Sequence, residues 1–380
     1  MKDKKVLIIL DGYFENTSEI KDIINLNFEK LQKKSKFFYR GQVDNSLLEY
    51  DVDSLNCIFN ILGYSPKENK IYERAYFEAL SRGYNLNLDK SLLRCNLVKV
   101  NNGRLIDFTG GLSTKDMDLL ISKFIDNLKD KREFNKYFNL LHCDAYRNLL
   151  FVNEKYEKLN NIVFLKPHSN VGEYIKYILP KMQGENSEGL NLLLKFIKFS
   201  YNYFKSLGYE GLMLYPWGLS KRSEVAPLTE RYNINGGVIS GIDLVKGMGK
   251  SLGLKVIKLK ESTGDYDTSL IEKFNKAKEN LNDLDFLLIH INGCDEIAHR
   301  KDTIGKALFL EKIFKELINP LVEEVNKKYN YSLLITGDHI TNSLTGNHER
   351  GKGEFLLLNS KDKNINFHSE SKELINLIFI

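Results

Sequence analysis

Short apolar runs alternate with helix-like stretches over much of this chain. Val6-Leu7-Ile8-Ile9-Leu10 is unbroken and partly β-branched, the pattern of a short strand buried on both faces. A helix is predicted over residues 18–33. Residues 55–62 are largely apolar and stop at Gly63-Tyr64-Ser65-Pro66. From Gly236 a regular alternation resumes. Strands are predicted at 238–240, 256–259, 286–291, 332–336 and 354–358. Helices are predicted at 243–252, closed by Gly253, at 271–280 and 304–327, with a short helix at the terminus. Such alternation predicts an α/β fold whose mostly parallel sheet is covered by helices on both faces.

The middle of the chain has a different texture. Strand candidates at 96–100, 149–152 and 162–165 interleave with helix candidates at 114–128 and 189–204. An apolar run at 211–215 follows, and residues 217–231 read as an irregular, polar return linker. These features predict a smaller α+β domain, residues 70–228, inserted into a core formed by residues 1–69 and 229–380. The first strand is grouped with the second half because all three chemically marked strands end alike. Asp11 follows the first run. Asp295 and His299, in Gly-Cys-Asp-Glu-Ile-Ala-His, follow the run at 286–289. Asp338-His339 follows Leu333-Leu334-Ile335, and His348 lies nine residues further on. The i,i+4 spacing of Asp295 and His299 places both on one face of a helical turn. Carboxylates and imidazoles gathered at strand ends suit a site for hard or borderline divalent metals.

Composition narrows the partners. The 380 residues are 42% hydrophobic and 28% charged, ordinary for a folded protein, and the net charge of +5 is dispersed. No arginine-rich stripe marks a nucleic-acid surface. No apolar run is long enough for a membrane span. Cys57, Cys95, Cys143 and Cys294 are scattered without a Cys-x-x-Cys pair, which fits a reducing cytoplasm better than a disulfide framework.

Two-metal phosphoryl transfer also needs a nucleophile. Ser54, in Tyr-Asp-Val-Asp-Ser-Leu-Asn, precedes the apolar run that ends at Gly63 and could serve. Taken alone, it reads more simply as a helix N-cap.

Taken together, the motifs resemble those of the archaeal-type cofactor-independent phosphoglycerate mutases, within the alkaline phosphatase superfamily. The matching stretches are Leu-Asp-Gly at 10–12, Ser54 through Ile-Leu-Gly-Tyr at 61–64, and Arg-Cys-Asn-Leu-Val at 94–98. They continue with Glu-Arg-Tyr and Gly-Gly-Val-Ile-Ser-Gly-Ile-Asp-Leu-Val-Lys-Gly-Met-Gly within 230–249, Thr-Gly-Asp-Tyr-Asp-Thr at 263–268, Cys-Asp-Glu-Ile-Ala-His at 294–299, Thr-Gly-Asp-His at 336–339, and His348. The resemblance implies an alkaline-phosphatase-like sheet and two divalent metal ions, manganese or zinc foremost, with cobalt or magnesium as further choices. One metal would take Asp11, Asp338, His339 and the nucleophile Ser54. The other would take Asp295, His299 and His348. Ser54 would accept the phosphoryl group of a small anionic substrate, a 3-phosphoglycerate to 2-phosphoglycerate conversion, and return it. Arg94, Asn96, Arg147 and Lys246 would contact that substrate. A monomer is the default expectation.

Departures accompany the matches. The family's Ser-Asp-x-Ala-His reads Ser54-Leu55-Asn56-Cys57-Ile58 here. Its arginine-rich Asp-Arg-x-x-Gly-Arg segment is Asp107-Phe108-Thr109-Gly110-Gly111, without either arginine. Each lost guanidinium removes a charge-assisted contact worth about 1.5–3 kcal/mol. The Gly-x-Gly-Asp expected after the first Asp-Gly is replaced by Tyr13-Phe14-Glu15-Asn16, and the Asp-Pro turn after His348 by Glu349-Arg350-Gly351-Lys352-Gly353. These changes keep open a metal-dependent phosphohydrolase or phosphonate hydrolase, and a degenerate homologue that binds a metabolite or partner without turnover.

Overall fold

A single parallel register positions the chemistry. In the computed structural model, which describes all residues except 1, 16, 47, 70, 72, 87–90, 154–158, 160, 183–187, 363, 364, 366 and 380, the chain forms two compact units. One comprises Met1–Ile71, Leu80–Arg82 and Glu224–Ile380; the other comprises Tyr72–Ala79 and Gly83–Ser223.

The first unit is built on a seven-stranded sheet. Its order is Lys255–Val256, Gly236–Ile239, Phe286–Ile291, Asp3–Leu10, Asn330–Gly337, Lys352–Asn359 and Phe37–Asp44. The first five run parallel. The strand Lys352–Asn359 is antiparallel to both of its neighbours. Val6 to Leu10 and Phe286 to Ile289 are fully buried, as strands covered on both faces must be. Helix Ser18–Lys34 lays Ile20, Ile24, Phe28 and Leu31 onto the sheet, a stripe at helical spacing. The central strand Asp3–Leu10 pairs Leu10 with Ile291 on one side and with Gly337 on the other. Three strands therefore end level, and the residues that follow them share one edge of the sheet.

Several boundaries differ from the sequence expectation. The strand expected at 256–259 is only Lys255–Val256. The helix expected at 304–327 is interrupted: Thr303–Ile313 passes through a π-helical turn, Phe314–Ile318, into Asn319–Lys328. Pro320 has no N–H to donate to the preceding turn, and the helix widens just before it. Ser54 is not an N-cap. Asp53 caps the helix Ser54–Ile61, its carboxylate accepting from the Asn56 N–H at 3.0 Å, and Ser54 is the first helical residue.

The second unit is an antiparallel sheet. Leu212–Ser220 lies along one edge of Ser91–Asn101, and Arg104–Asp107 and Arg147–Val152 share the other, with Phe138–Asp144 outermost. Helices Thr114–Lys129 and Glu188–Ser206 cover it around Phe124, Phe196 and Phe204. The expected irregular linker at 217–231 is mostly ordered structure. Trp217 to Ser220 continue a strand, because Trp217 is buried and its indole donates to Asn96, and residues 228–231 form a helical turn. The strand expected at 162–165 is the two-residue Ile162–Val163.

A buried ion pair fixes the loop after the first strand. Lys306 is fully buried and reaches Glu15 at 3.1 Å and the Thr341 carbonyl at 2.8 Å, while Glu15 also accepts from the Ser343 N–H at 2.9 Å. Lys306→Ala leaves Glu15 buried without its cation. A stability loss of about 3–5 kcal/mol is expected, measured as a lowered midpoint in urea unfolding.

Candidate metal centre

The candidate ligand side chains gather at the carboxyl edge of the parallel strands, and each is placed by a local feature of the sequence. Asp11 directly follows the first strand and is completely buried. Gly12 then turns the chain with φ +64°. A Cβ there would lie 2.7 Å from the Thr341 hydroxyl and 2.8 Å from the Asp295 Cα. Only glycine allows both the left-handed backbone and the close approach. Asp338 and His339 follow the strand Asn330–Gly337, and both are buried. The Gly12 and His339 backbone N–H groups both donate to Asp338 Oδ1, at 3.0 and 2.9 Å. Helix Gly293–His299 carries Asp295 and His299 one turn apart, as their spacing predicts. His348 arrives on a two-residue strand paired with Ile340–Thr341.

Two three-residue clusters result: Asp11, Asp338 and His339, and Asp295, His299 and His348. The ligand atoms of each lie within 4.8 Å of one another. In the first, His339 Nε2 is 3.4 Å from Asp11 Oδ1 and 3.4 Å from Asp338 Oδ2. Ser54 Oγ reaches the same point, donating to Asp11 Oδ1 at 3.3 Å and standing 3.5 Å from His339 Nε2. In the second, His299 and His348 Nε2 are each 3.3 Å from Asp295 and 3.2 Å from each other. Their Nδ1 atoms lie against the carbonyls of Gly346, at 2.8 Å, and Val52, at 3.0 Å. A carbonyl only accepts, so both rings carry a proton on Nδ1 and aim Nε2 at the carboxylate.

The donor set fits divalent cations. Asp338 Oδ2 is buried and has no hydrogen-bond partner among the described residues, although it faces both His339 and the space beside Asp11. Such a donorless buried oxygen is rare in native interiors, and a bound cation is one way to complete it. Three nearly buried carboxylates with imidazoles also match borderline metals rather than calcium. In the absence of cations, burial pushes the Asp295 carboxyl up, but hydrogen bonds from His299 and His348 hold it well below the usual carboxylate range. The bond to Asp295 raises His299 to about 9, against the opposing effect of burial.

Two supporting residues carry no signal of their own in the sequence. His290 reads there as a satisfied buried histidine, and it is one. Its partner is Asp11: His290 Nε2 lies 3.0 Å from Asp11 Oδ2, with Ser240 Oγ at 3.3 Å from Nδ1 and the buried Lys273 ammonium donating to the His290 carbonyl at 3.4 Å. Thr341 Oγ1 donates to Asp295 Oδ1 at 2.6 Å. Only the strand register, which sets His290 opposite Ile9, puts the imidazole within reach of Asp11.

The four expected substrate contacts divide between the units. Lys246 lies in the first, held by Asp243 at 2.9 Å. Arg94, Asn96 and Arg147 are neighbours in the second, with Asn96 opposite Arg147 across the strand pair. Arg94 pairs with Glu78 at 3.2 Å and lies over the Trp217 ring. Asn96 is buried, donating to the Phe108 carbonyl and accepting from the Trp217 indole, so its amide acts as a brace. Arg147 is exposed over Tyr146, 3.2 Å from Asp144.

Fold and site together define an α/β protein with paired candidate metal clusters at the carboxyl edge of a mainly parallel sheet. Comparison with known proteins narrows that class. Residues 39–208 match the model of the 2,3-bisphosphoglycerate-independent phosphoglycerate mutase family. A mutase of that name from Methanothermobacter thermautotrophicus is 29% identical over 290 residues, covering 74% of this chain and 69% of the relative. One from Methanocaldococcus jannaschii is 28% identical over 361 residues, covering 90% and 84%. A solved protein from Pyrococcus horikoshii superposes with TM-score 0.73 at 22% identity, covering 100% of this chain and 97% of that one. The cofactor-independent phosphoglycerate mutase of Thermoplasma acidophilum gives 0.59 at 17%, covering 100% and 99%. The chain is thus similar in sequence to archaeal cofactor-independent phosphoglycerate mutases and shares the fold of the solved mutase from Thermoplasma acidophilum. No helix among the described residues is long and apolar enough to cross a membrane.

Burial, assisted by Lys273, pushes His290 down to about 3. Its unfolded pKa is about 6.5. Between these values the unfolded chain binds the extra proton, so stability falls as pH drops from about 6.5 towards 3. In metal-free protein, His290→Gln is expected to flatten that part of the stability–pH curve, read by urea unfolding at stepped pH. Equal slopes in the two proteins would contradict the assignment.

Proposed function

We propose that this chain is a metal-dependent phosphoryl-transfer enzyme of the phosphoglycerate mutase type, acting through a phosphoserine at Ser54. The observation that carries this reading is the place of Ser54. Its buried hydroxyl sits on the first residue of a helix and points between Asp11 and His339. At that position the helix amides favour negative charge on an incoming phosphoryl oxygen.

Asp11, Asp338, His339 and Ser54 would hold one divalent cation, and Asp295, His299 and His348 the other. Manganese or zinc suits the ligands best, with cobalt or magnesium as further choices. Such cations lower the pKa of an attacking hydroxyl and neutralise charge on the group in transfer. Ser54 Oγ attacks phosphorus in line with the ester oxygen of the substrate. The P–O ester bond breaks, the substrate hydroxyl leaves, and Ser54 becomes the phosphoester. A different hydroxyl of the same substrate then attacks and restores the serine. Asp11, the acceptor of the Ser54 proton in the resting arrangement, is positioned by His290. The substrate is a small phosphorylated acid, and the guanidinium groups of Arg94 and Arg147, with Lys246, are its proposed anion contacts. Asn96 holds the Phe108 loop on the same sheet as the two arginines.

One observation favours a hydrolytic variant. At the family's arginine-rich segment, Asp107 takes up Thr109, accepting from its N–H and hydroxyl at 2.6 Å each, and residues 107–111 contain no arginine. Fewer anion contacts hold the dephosphorylated intermediate less tightly, and water then competes for the phosphoserine.

Two measurements test this reading. Purified protein loaded with manganese, incubated with 3-phosphoglycerate, is expected to yield 2-phosphoglycerate; release of free phosphate alone would replace the mutase with the hydrolase. Ser54→Ala is expected to lower metal-dependent turnover on the order of 10^3-fold or more, with metal content retained. Unchanged turnover in that variant excludes a covalent role for Ser54.

A further inference from the structure

We infer that Thr341 is a positioning residue that couples the two metal clusters through its hydroxyl. This inference rests on the two-metal reading above. Thr341 is fully buried. Its Oγ1 lies 2.6 Å from Asp295 Oδ1 and 3.1 Å from His339 Nδ1, so one hydroxyl touches a ligand residue of each cluster. A third ligand residue meets its backbone, because Thr341 is the strand partner of His348.

Proton accounting fixes the direction of the link. An ionised carboxylate only accepts, so the single hydroxyl proton of Thr341 goes to Asp295. Thr341 Oγ1 then has only lone pairs to offer His339, and His339 must carry its proton on Nδ1. That tautomer leaves the Nε2 lone pair directed at Asp11, Asp338 and Ser54, the form in which an imidazole ligates a cation. Removing the Thr341 hydroxyl removes the acceptor that prescribes this tautomer. The same hydroxyl pins one oxygen of Asp295, the oxygen that lies 3.3 Å from His348 Nε2.

The chain of bonds is cooperative. A cation drawing electron density through His339 Nε2 makes Nδ1–H a stronger donor. A stronger bond to Thr341 Oγ1 in turn makes its O–H a stronger donor to Asp295. Filling one cluster thereby orients a ligand of the other. Thr341 is held rigidly enough to transmit this effect. Its carbonyl is fixed by the buried Lys306, and Gly12 leaves just enough room beside Oγ1.

Cobalt(II) titration of metal-free protein, followed by calorimetry and by the cobalt absorption bands, tests the inference. The wild type is expected to bind two equivalents, with the first raising the affinity for the second. In Thr341→Val, affinity at both clusters should fall about 10–100-fold, the usual effect of losing a group that orients a metal ligand, and the two ions should bind independently. Thr341→Ser should restore coupling and spectrum. A Val variant with wild-type affinities and coupling overturns the proposal while leaving the two-metal reading intact. Failure of the wild type to bind two equivalents removes that reading first. Ring nitrogen chemical shifts of His339 in metal-free wild type give an answer that needs no variant. The Nδ1–H tautomer is expected, and the Nε2–H tautomer overturns the proposal.

Discussion

Three carboxylates buried at one edge of the parallel sheet are the constraint from which the rest of the first unit follows. Asp11, Asp338 and Asp295 are at most 7% exposed. Removing an ionised carboxylate from water costs several kcal/mol even after relaxation, unless positive charge compensates. Lys306 is engaged by Glu15 and Lys273 by the His290 carbonyl. Burial pushes His339 and His290 down, which keeps both imidazoles neutral. His299 is driven the other way, and it sits at the solvent side. The serine hydroxyl lies at the same buried end, and a bound divalent cation there, as proposed above, would offset the carboxylate charge.

The parallel sheet is what makes such crowding possible. Adjacent parallel strands end level only when their register is fixed, and register is fixed here by apolar residues on both faces of three neighbouring strands. A slip of one residue would turn Asp11 away from His290 and Asp338. The apolar core and the polar site are thus one construction: the strands bury Val6–Leu10 and Phe286–Ile291, and the residues immediately beyond them have no choice of place.

Much of this is legible in the chain because both signals are local. An apolar run followed by Asp, Asp-His or Asp-x-x-x-His can be read without coordinates. Helical spacing alone places Asp295 and His299 on one face, and Gly253 closes its helix as expected. What escapes is set by partners distant in sequence. Thr341 reads as one more threonine in a loop, since its meaning comes from Asp295 and His339. Asp53 rather than Ser54 caps the serine helix, a distinction that depends on one backbone angle and one hydrogen bond. The edge strand Phe37–Asp44 leaves no clear mark in the sequence, because its exposed face breaks the apolar run that signals the central strands. Trp217 reads as part of a linker because Pro216 and Gly218 flank it, yet its indole completes the amide of Asn96.

The two clusters differ in a way that bears on chemistry. The Asp11 cluster is sealed; its three ligand residues are at most 1% exposed and Ser54 is nearly so. The Asp295 cluster is open, with the His299 and His348 side chains 41% and 26% exposed. Among the described cluster residues, His299 and His348 are the ones that solvent reaches most. Under the proposed mechanism the sealed half would set what is common to mutase and hydrolase, formation of the phosphoserine. Under the same proposal the open half would decide between them, because the outcome would depend on whether a substrate hydroxyl or water stands there when the serine is released. The departures from the family motifs noted in the sequence, at 13–16, 55–58, 107–111 and 349–353, leave the residue types at the seven positions of the two clusters as the resemblance expects.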